Sequence, residues 1–310
     1  MTNELSFTGE RFHPHLAGEM WAEHWHRYHF VLPYVTGKKV LDVASGEGYG
    51  SALMASVAHS VSGLDVSADA VAHARTAYAN RHNLDYTEGN CAQLPFGDAT
   101  FDVVVSFETV EHIHEQKEFL DEIRRVLKPA GLLIMSSPNR AEYSDARGYS
   151  NEFHVKELYR DEFSALLGSH FAHLRWFSQR NAFVSMITPQ VLEAGGTAGG
   201  QTLTISKARP DALAPALAAL YFLVIASNDA ATLDRVTPCL SVMNDSEEWA
   251  YSDYRKIYQE TQAFAKHEAA LRARCAALEA ELAAARSSKI ATPVKQPARW
   301  LSRLFKRISG

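Results

Sequence analysis

The sequence predicts an α/β protein, and three observations carry that prediction. Between residues 38 and 207, short apolar runs alternate with amphipathic helix patterns, the mark of strand–helix–strand units. The run Val40-Leu41-Asp42-Val43 leads directly into a glycine-spaced turn, Gly46-x-Gly48-x-Gly50, and then into a helix pattern. The chain has 310 residues, 46% hydrophobic and 22% charged, so it can bury a sizeable core in one large or two smaller domains. Collagen-like, repeat and fully disordered readings are excluded.

Taken in order, residues 1–36 are rich in His and aromatics and form an arm that ends in a helix over 18–34. Strands follow at 39–43, 60–65, 84–89, 101–106 and 132–136, with helices at 49–58, 68–81 and 116–126. After a helix over 156–167, strands are expected at 173–177, 183–187, 202–206 and 221–226, with a four-glycine loop at 193–200. Residues 246–286 read as one long helix, 287–297 as a linker carrying Pro293 and Pro297, and 298–308 as a short helix. The domain division is therefore 1–36, 37–240, 246–286 and 287–310.

The longest apolar run, 212–226, contains Pro215 and is shorter than the ~20 residues a membrane span needs. The N-terminus has no basic region followed by an apolar one, so no secretory signal is read. Cys91, Cys239 and Cys275 lie far apart, which argues for a reducing cytoplasm and against a disulfide scaffold or zinc knuckle. From Arg286 onward there are seven Lys/Arg and no acid, which leaves −12 on residues 1–285 of a chain of net charge −5. An acidic body of this kind excludes nucleic acid as the expected partner.

The glycine turn lets the backbone bend sharply and approach a ligand without a Cβ in the way. A second strand ends in Asp65, 19 residues after Gly46. An acid there can accept hydrogen bonds from a ribose diol, or it can simply cap the next helix. Glu88-Gly-Asn90-Cys91-Ala-Gln-Leu94-Pro95-Phe96 follows the third strand and offers polar groups to an adenine edge. Phe101-Asp-Val-Val-Val-Ser-Phe107-Glu108-Thr-Val-Glu-His112-Ile forms the fourth strand and its exit loop. A nicotinamide dehydrogenase would share the turn and Asp65 but would not explain the Leu94-Pro95-Phe96 stretch or the exit loop.

This ordered set, with Leu127-Lys-Pro-Ala-Gly-Leu-Leu-Ile-Met-Ser-Ser-Pro-Asn139, resembles the class I S-adenosylmethionine-dependent methyltransferases over roughly residues 38–207. The resemblance implies a doubly wound, mostly parallel seven-stranded sheet whose last pair is an antiparallel insertion. It implies S-adenosylmethionine across the C-terminal strand edges. By position, Ala44 and Gly46 would line the methionine part and Asp65 would take the ribose hydroxyls, with Val66 beside it. Asn90 and Cys91 would edge the adenine, and Phe107 would close the methionine end. Where the family usually has Asp, this chain has Asn90, which can still accept from the adenine amino group.

Methyl transfer from a sulfonium is an in-line displacement in which the protein mainly aligns the acceptor. A hydroxyl acceptor also needs a base. His112 and Glu108 on the fourth strand's exit loop, and His154 further on, are the catalytic candidates; a structural role is the plain alternative for either histidine. The arm with Glu23-His-Trp-His-Arg27-Tyr28, together with Ser137–Ser144 and Phe153–Leu158, resembles methyltransferases of bacterial surface-polysaccharide clusters, including O-antigen chain-terminating enzymes. That resemblance implies an arm that covers the cofactor, with Arg27 on its carboxylate and Tyr28 closing over it. The arm's five histidines lack carboxylates at ligand spacing, so no metal is expected.

Ile257, Phe264, Leu271, Leu278 and Ala285 recur every seven residues, with a partly apolar second seam at 254, 261, 268, 275 and 282. This suggests a modest coiled coil and a homo-oligomer. A lone helix lying on its own domain is the alternative. Trp300, Leu301, Leu304, Phe305 and Ile308 share one face beside Arg299, Arg303, Lys306 and Arg307, as in a basic helix lying on an anionic membrane or in a merely solubilising tail. The expected function is methylation of a sugar hydroxyl or phosphate of a surface polysaccharide or lipid-linked glycan. The expected place is the cytoplasm, peripheral to the inner membrane. A methyltransferase for a free small molecule and a silent scaffold stay open.

Overall fold

The protein is represented by a computed structural model, which describes residues 18–182, 184, 205–206, 209–213, 215–244 and 248–290. Two compact units meet between Asn244 and Asp245. The first contains strands β1 (Lys39–Val43), β2 (Ser60–Asp65), β3 (Leu84–Glu88), β4 (Phe101–Ser106), β5 (Leu127–Pro138) and β6 (His173–Gln179). A separate two-stranded ribbon, β7 (Ile205–Ser206) with β8 (Arg209–Leu213), precedes β9 (Tyr221–Ser227). The main sheet has seven strands in the order β3-β2-β1-β4-β5-β9-β6.

Strands β1 to β5 pair in parallel, while β9 runs antiparallel to both of its neighbours, β5 and β6. The expected antiparallel pair is thus one reversed strand, and the sheet is mixed. Reversal lets β9 slot between two strands without the crossover helix that a parallel neighbour needs.

Alternation along the strands feeds two cores. Leu41, Val43, Val104, Leu133, Met135 and Val224 face one, while Val40, Val103, Val105, Ile134, Leu223 and Ile225 face the other. Because both faces are covered, these strands read in sequence as unbroken apolar runs. On the first face lie α4 (Gln116–Val126) and α5 (Arg160–Gly168), whose Phe119, Leu120, Ile123, Phe163 and Leu167 are fully buried. Each such side chain contributes about 1.5–3 kcal/mol by leaving water. On the other face lie α1 (Glu19–Val35), α2 (Tyr49–Met54) and α6 (Ala230–Asp234), and α3 (Ala68–Ala77) packs Val71 and Ala74 against Tyr86.

Several expectations shift. The helix that ends the arm packs into the first unit: Val31 and Val35 of α1 are fully buried in its core. The helix expected over 156–167 begins at Arg160, because Leu158 is drawn into a bridge with Asn139. Helices α2 and α3 stop short of 58 and 81, at Met54 and Ala77. In the second unit, α7 (Trp249–Ile290) carries helix into the expected linker, since no proline intervenes before Pro293. The expected strand at 183–187 falls almost wholly outside the described residues. So do the loop 193–200, the arm 1–17 and the basic tail from 291.

Candidate active site

A cleft of about 990 Å³ opens beyond the C-terminal ends of β1, β2 and β4, the edge at which parallel sheets bind ligands. One end is built from the glycine turn. Gly48 has φ +82°, and an added Cβ would lie 2.5 Å from the Tyr86 hydroxyl, which donates to the Gly48 carbonyl at 2.7 Å. At Gly50 an added Cβ would collide with the Tyr28 ring. The amide of Gly46 donates to Asp65 Oδ2 at 2.8 Å and that of Ser67 to Oδ1 at 2.9 Å. Asp65 therefore ties the turn to β2 rather than capping α3; Ser67 is the cap, accepting from the Ala70 amide. A carboxylate has about four acceptor sites, so lone pairs remain for a ligand.

Beneath the turn, Asp42 is fully buried and accepts from Ser51 Oγ at 2.6 Å and from the Tyr28 hydroxyl at 3.3 Å. Burial outweighs these bonds and pushes its carboxyl up to about 7. Ala44 and Glu108, just past β1 and β4, hold positive φ of 60° and 50° without being glycine. Such backbone costs of order 1–3 kcal/mol and collects at functional sites.

Ala44, Gly46, Asp65, Val66, Cys91, Phe107 and Tyr28 all line the cleft. Tyr28 and Phe107 meet edge to face at 5.1 Å. Burial pushes the Cys91 thiol up to about 11. Asn90 and Arg27 do not line the cleft. Asn90 is exposed and its Oδ1 accepts from the Ala92 amide at 2.8 Å, an Asx turn that takes it off the cleft wall. Arg27 is packed behind that wall: its Nε donates to Gln179 Oε1 at 2.6 Å, the Tyr221 ring lies 4.5 Å away, and Glu108 is 3.7 Å distant. Neither Nη atom of Arg27 makes a hydrogen bond.

The other end is assembled from loops. The Ser136 hydroxyl donates to Glu108 Oε1 at 2.6 Å. His112 Nδ1 donates to the Phe153 carbonyl at 3.0 Å. His154 Nδ1 donates to Glu157 Oε1 at 2.6 Å, and Ser144 Oγ holds the other Glu157 oxygen at 2.6 Å. The two imidazoles meet edge to face at 4.8 Å, and Tyr143, in a π-helical turn over Ala141–Asp145, stacks on His154 at 5.5 Å. Glu111 is fully buried, and burial first, then the charge of Glu108, pushes its carboxyl well above the ordinary range. Thus the structure brings His112 and His154 together, with Glu108 on the same cleft wall.

Sequence reasoning missed Glu111, Tyr143, Tyr221 and the orienting role of Glu157. For Glu157 the signal was its place three residues after His154; for Tyr221, on a strand far along the chain, there was none.

Comparisons with known proteins agree with this geometry. Residues 41–135 match the family described as "Methyltransferase domain". A probable S-adenosylmethionine-dependent methyltransferase of Mycolicibacterium smegmatis is 41% identical over 173 residues, 54% of this chain and 65% of the relative. One of Mycobacterium tuberculosis is 41% identical over 169 residues, 53% of this chain and 60% of the relative. The chain thus spans somewhat under two thirds of these curated relatives. A Pyrococcus horikoshii protein of solved structure shares the fold, with TM-score 0.50 and 21% identity over 68% of this chain and 92% of that one. Within the first unit, residues 41–135 thus match a methyltransferase domain, and the chain is similar over about half its length to S-adenosylmethionine-dependent methyltransferases.

Proposed function

We propose that the protein transfers a methyl group from S-adenosylmethionine to a hydroxyl, or a phosphate, on a sugar of a surface polysaccharide or lipid-linked glycan. The observation that carries the reading is the two-part cleft, with a nucleoside-type cradle at one end and an oriented histidine at the other.

The cradle fits the cofactor chemically. Asp65 offers a carboxylate on the cleft wall for a diol, Gly46 at φ +54° leaves its surroundings open, and Leu64 and Phe107 supply apolar cover. Bound there, S-adenosylmethionine would supply an electrophilic methyl group on sulfur. The protein's own task is to exclude water and align the acceptor. His154, fixed by Glu157 with its proton on Nδ1, presents a lone pair at Nε2 that can take the acceptor's hydroxyl proton. The aromatic wall of Tyr143, Tyr149 and Tyr221 suits the apolar face of a sugar ring.

We infer a homo-oligomer through α7, where Ile257, Phe264, Leu271 and Leu278 form an exposed stripe seven residues apart. The basic tail would bring such an oligomer to an anionic membrane, near a lipid-linked acceptor. The decisive experiment incubates the full chain with methyl-labelled cofactor and isolated lipid-linked glycans, then maps the label. Label on the glycan supports the reading. Cofactor binding with transfer only to free small molecules would redirect it, and absence of cofactor binding would end it.

A further inference from the structure

Three side chains at the acceptor end have a joint property that none has alone. One ligand atom each from Glu111, His112 and His154 lies within 4.8 Å of the others. Glu111 is fully buried, yet neither of its carboxylate oxygens has a hydrogen-bond partner. A buried carboxylate left bare is costly, and proteins normally pair it or place it on a metal. All three residues line the cleft.

The histidines are oriented as metal ligands are. Each donates Nδ1–H to an oxygen, His112 to the Phe153 carbonyl and His154 to Glu157, which Ser144 fixes in turn. Such bonds set the tautomer that keeps the lone pair on Nε2 and raise its basicity. Here the carboxylate is the neighbour of one histidine, and the fold brings in the other from 42 residues along the chain.

We propose that Glu111, His112 and His154 bind one divalent transition-metal cation at the acceptor end of the cleft, leaving coordination positions open to acceptor oxygens. Two imidazoles and a single carboxylate favour Zn²⁺, Co²⁺ or Mn²⁺ over Mg²⁺ and Ca²⁺, which prefer all-oxygen sets. Cation binding stands on these three residues alone. Its role deepens the methyl-transfer reading and rests on it. Coordination would lower the pKa of an acceptor hydroxyl enough for its proton to leave to solvent, so that His154 serves as a ligand and not as the base.

The test uses the full chain, stripped with a chelator, dialysed and titrated with Co²⁺ alone. One equivalent is expected to give visible d–d absorption that Zn²⁺ displaces and Mg²⁺ does not. Glu111→Gln and His154→Gln should each abolish the band with unchanged circular dichroism. Glu157→Gln, which acts only through His154, should weaken Co²⁺ binding by about 10–100-fold. His29→Gln, an exposed residue of α1, should leave the band intact. No band in the wild type, or an undiminished band in both Glu111→Gln and His154→Gln, overturns the site. A band in a chain that binds no S-adenosylmethionine keeps the cation site and removes the methyl-transfer reading.

Discussion

At the glycine-turn end of the cleft, backbone makes the wall. Amides of Gly46 and Ser67 grip Asp65, and the shape follows from positive φ at Ala44, Gly46 and Gly48 in the exit of β1. At the far end, side chains make the wall. His112, Tyr143, His154 and Tyr221 come from four separate segments and hold one another through ring contacts and bonds to Phe153 and Glu157. A backbone-built end is fixed by the fold, whereas a side-chain-built end can change at little cost to it.

The comparison breaks most sharply at His154. His154→Ala should cost ~10²–10⁴-fold in methyl transfer while leaving cofactor affinity nearly unchanged. Single-turnover kinetics beside calorimetry separates the two. Equal losses in both would mean that the ends are one structural unit. Asp65→Ala should do the reverse, weakening S-adenosylmethionine by about 1–3 kcal/mol and releasing the turn. Calorimetry reads the affinity, and an unchanged constant in a folded variant would place the cofactor elsewhere.

Legibility followed the same divide. Val40 to Gly50 is contiguous, and both its burial and its turn are written in one stretch, so β1, the turn and α2 could be read directly. Asp65 was legible because its distance from Gly46 reflects one strand–helix–strand unit. The setting of Asn90 was not legible because its side chain is held in an Asx turn two residues long. The setting of Arg27 was not legible because its guanidinium meets Gln179, some 150 residues away in sequence, which no local pattern encodes. Glu111 stayed hidden because an acid between Val110 and His112 on an exit loop looks like a surface residue until the fold covers it.

Gly50→Ala tests whether the backbone-built end is also the rigid end. Its Cβ meets the Tyr28 ring, and overpacking of this kind should lower stability by about 1–3 kcal/mol, read by urea denaturation. Asp42→Asn sharpens the same point through pH. Asp42 sits near 7 in the fold against 3.8 when unfolded, so the folded state holds its proton where the unfolded state has lost it. Stability from this group is complete below about 4 and is lost as pH rises towards 7. The slope reaches about 1.4 kcal/mol per pH unit at most. Denaturation at pH 5 and 7.5 should show a shallower decline in the Asn variant; Glu23, also raised to about 7, retains a residual slope. The smallest effect concerns α7, where Leu271→Glu should shift the sedimentation coefficient towards the monomer and leave single-turnover chemistry as it was.

Cys91 has a consequence for the protein's own survival. A thiolate is the strongest nucleophile a protein can place near an alkylating agent, and Cys91 lines the cleft proposed to hold one. With its thiol held near 11, only about one molecule in ten thousand carries the anion at pH 7. The residue can therefore pack against the bound nucleoside as a small apolar surface without consuming the donor. Burial here works as a safeguard against self-inactivation, and it should show as slow reaction of Cys91 with iodoacetamide compared with the exposed Cys239 and Cys275.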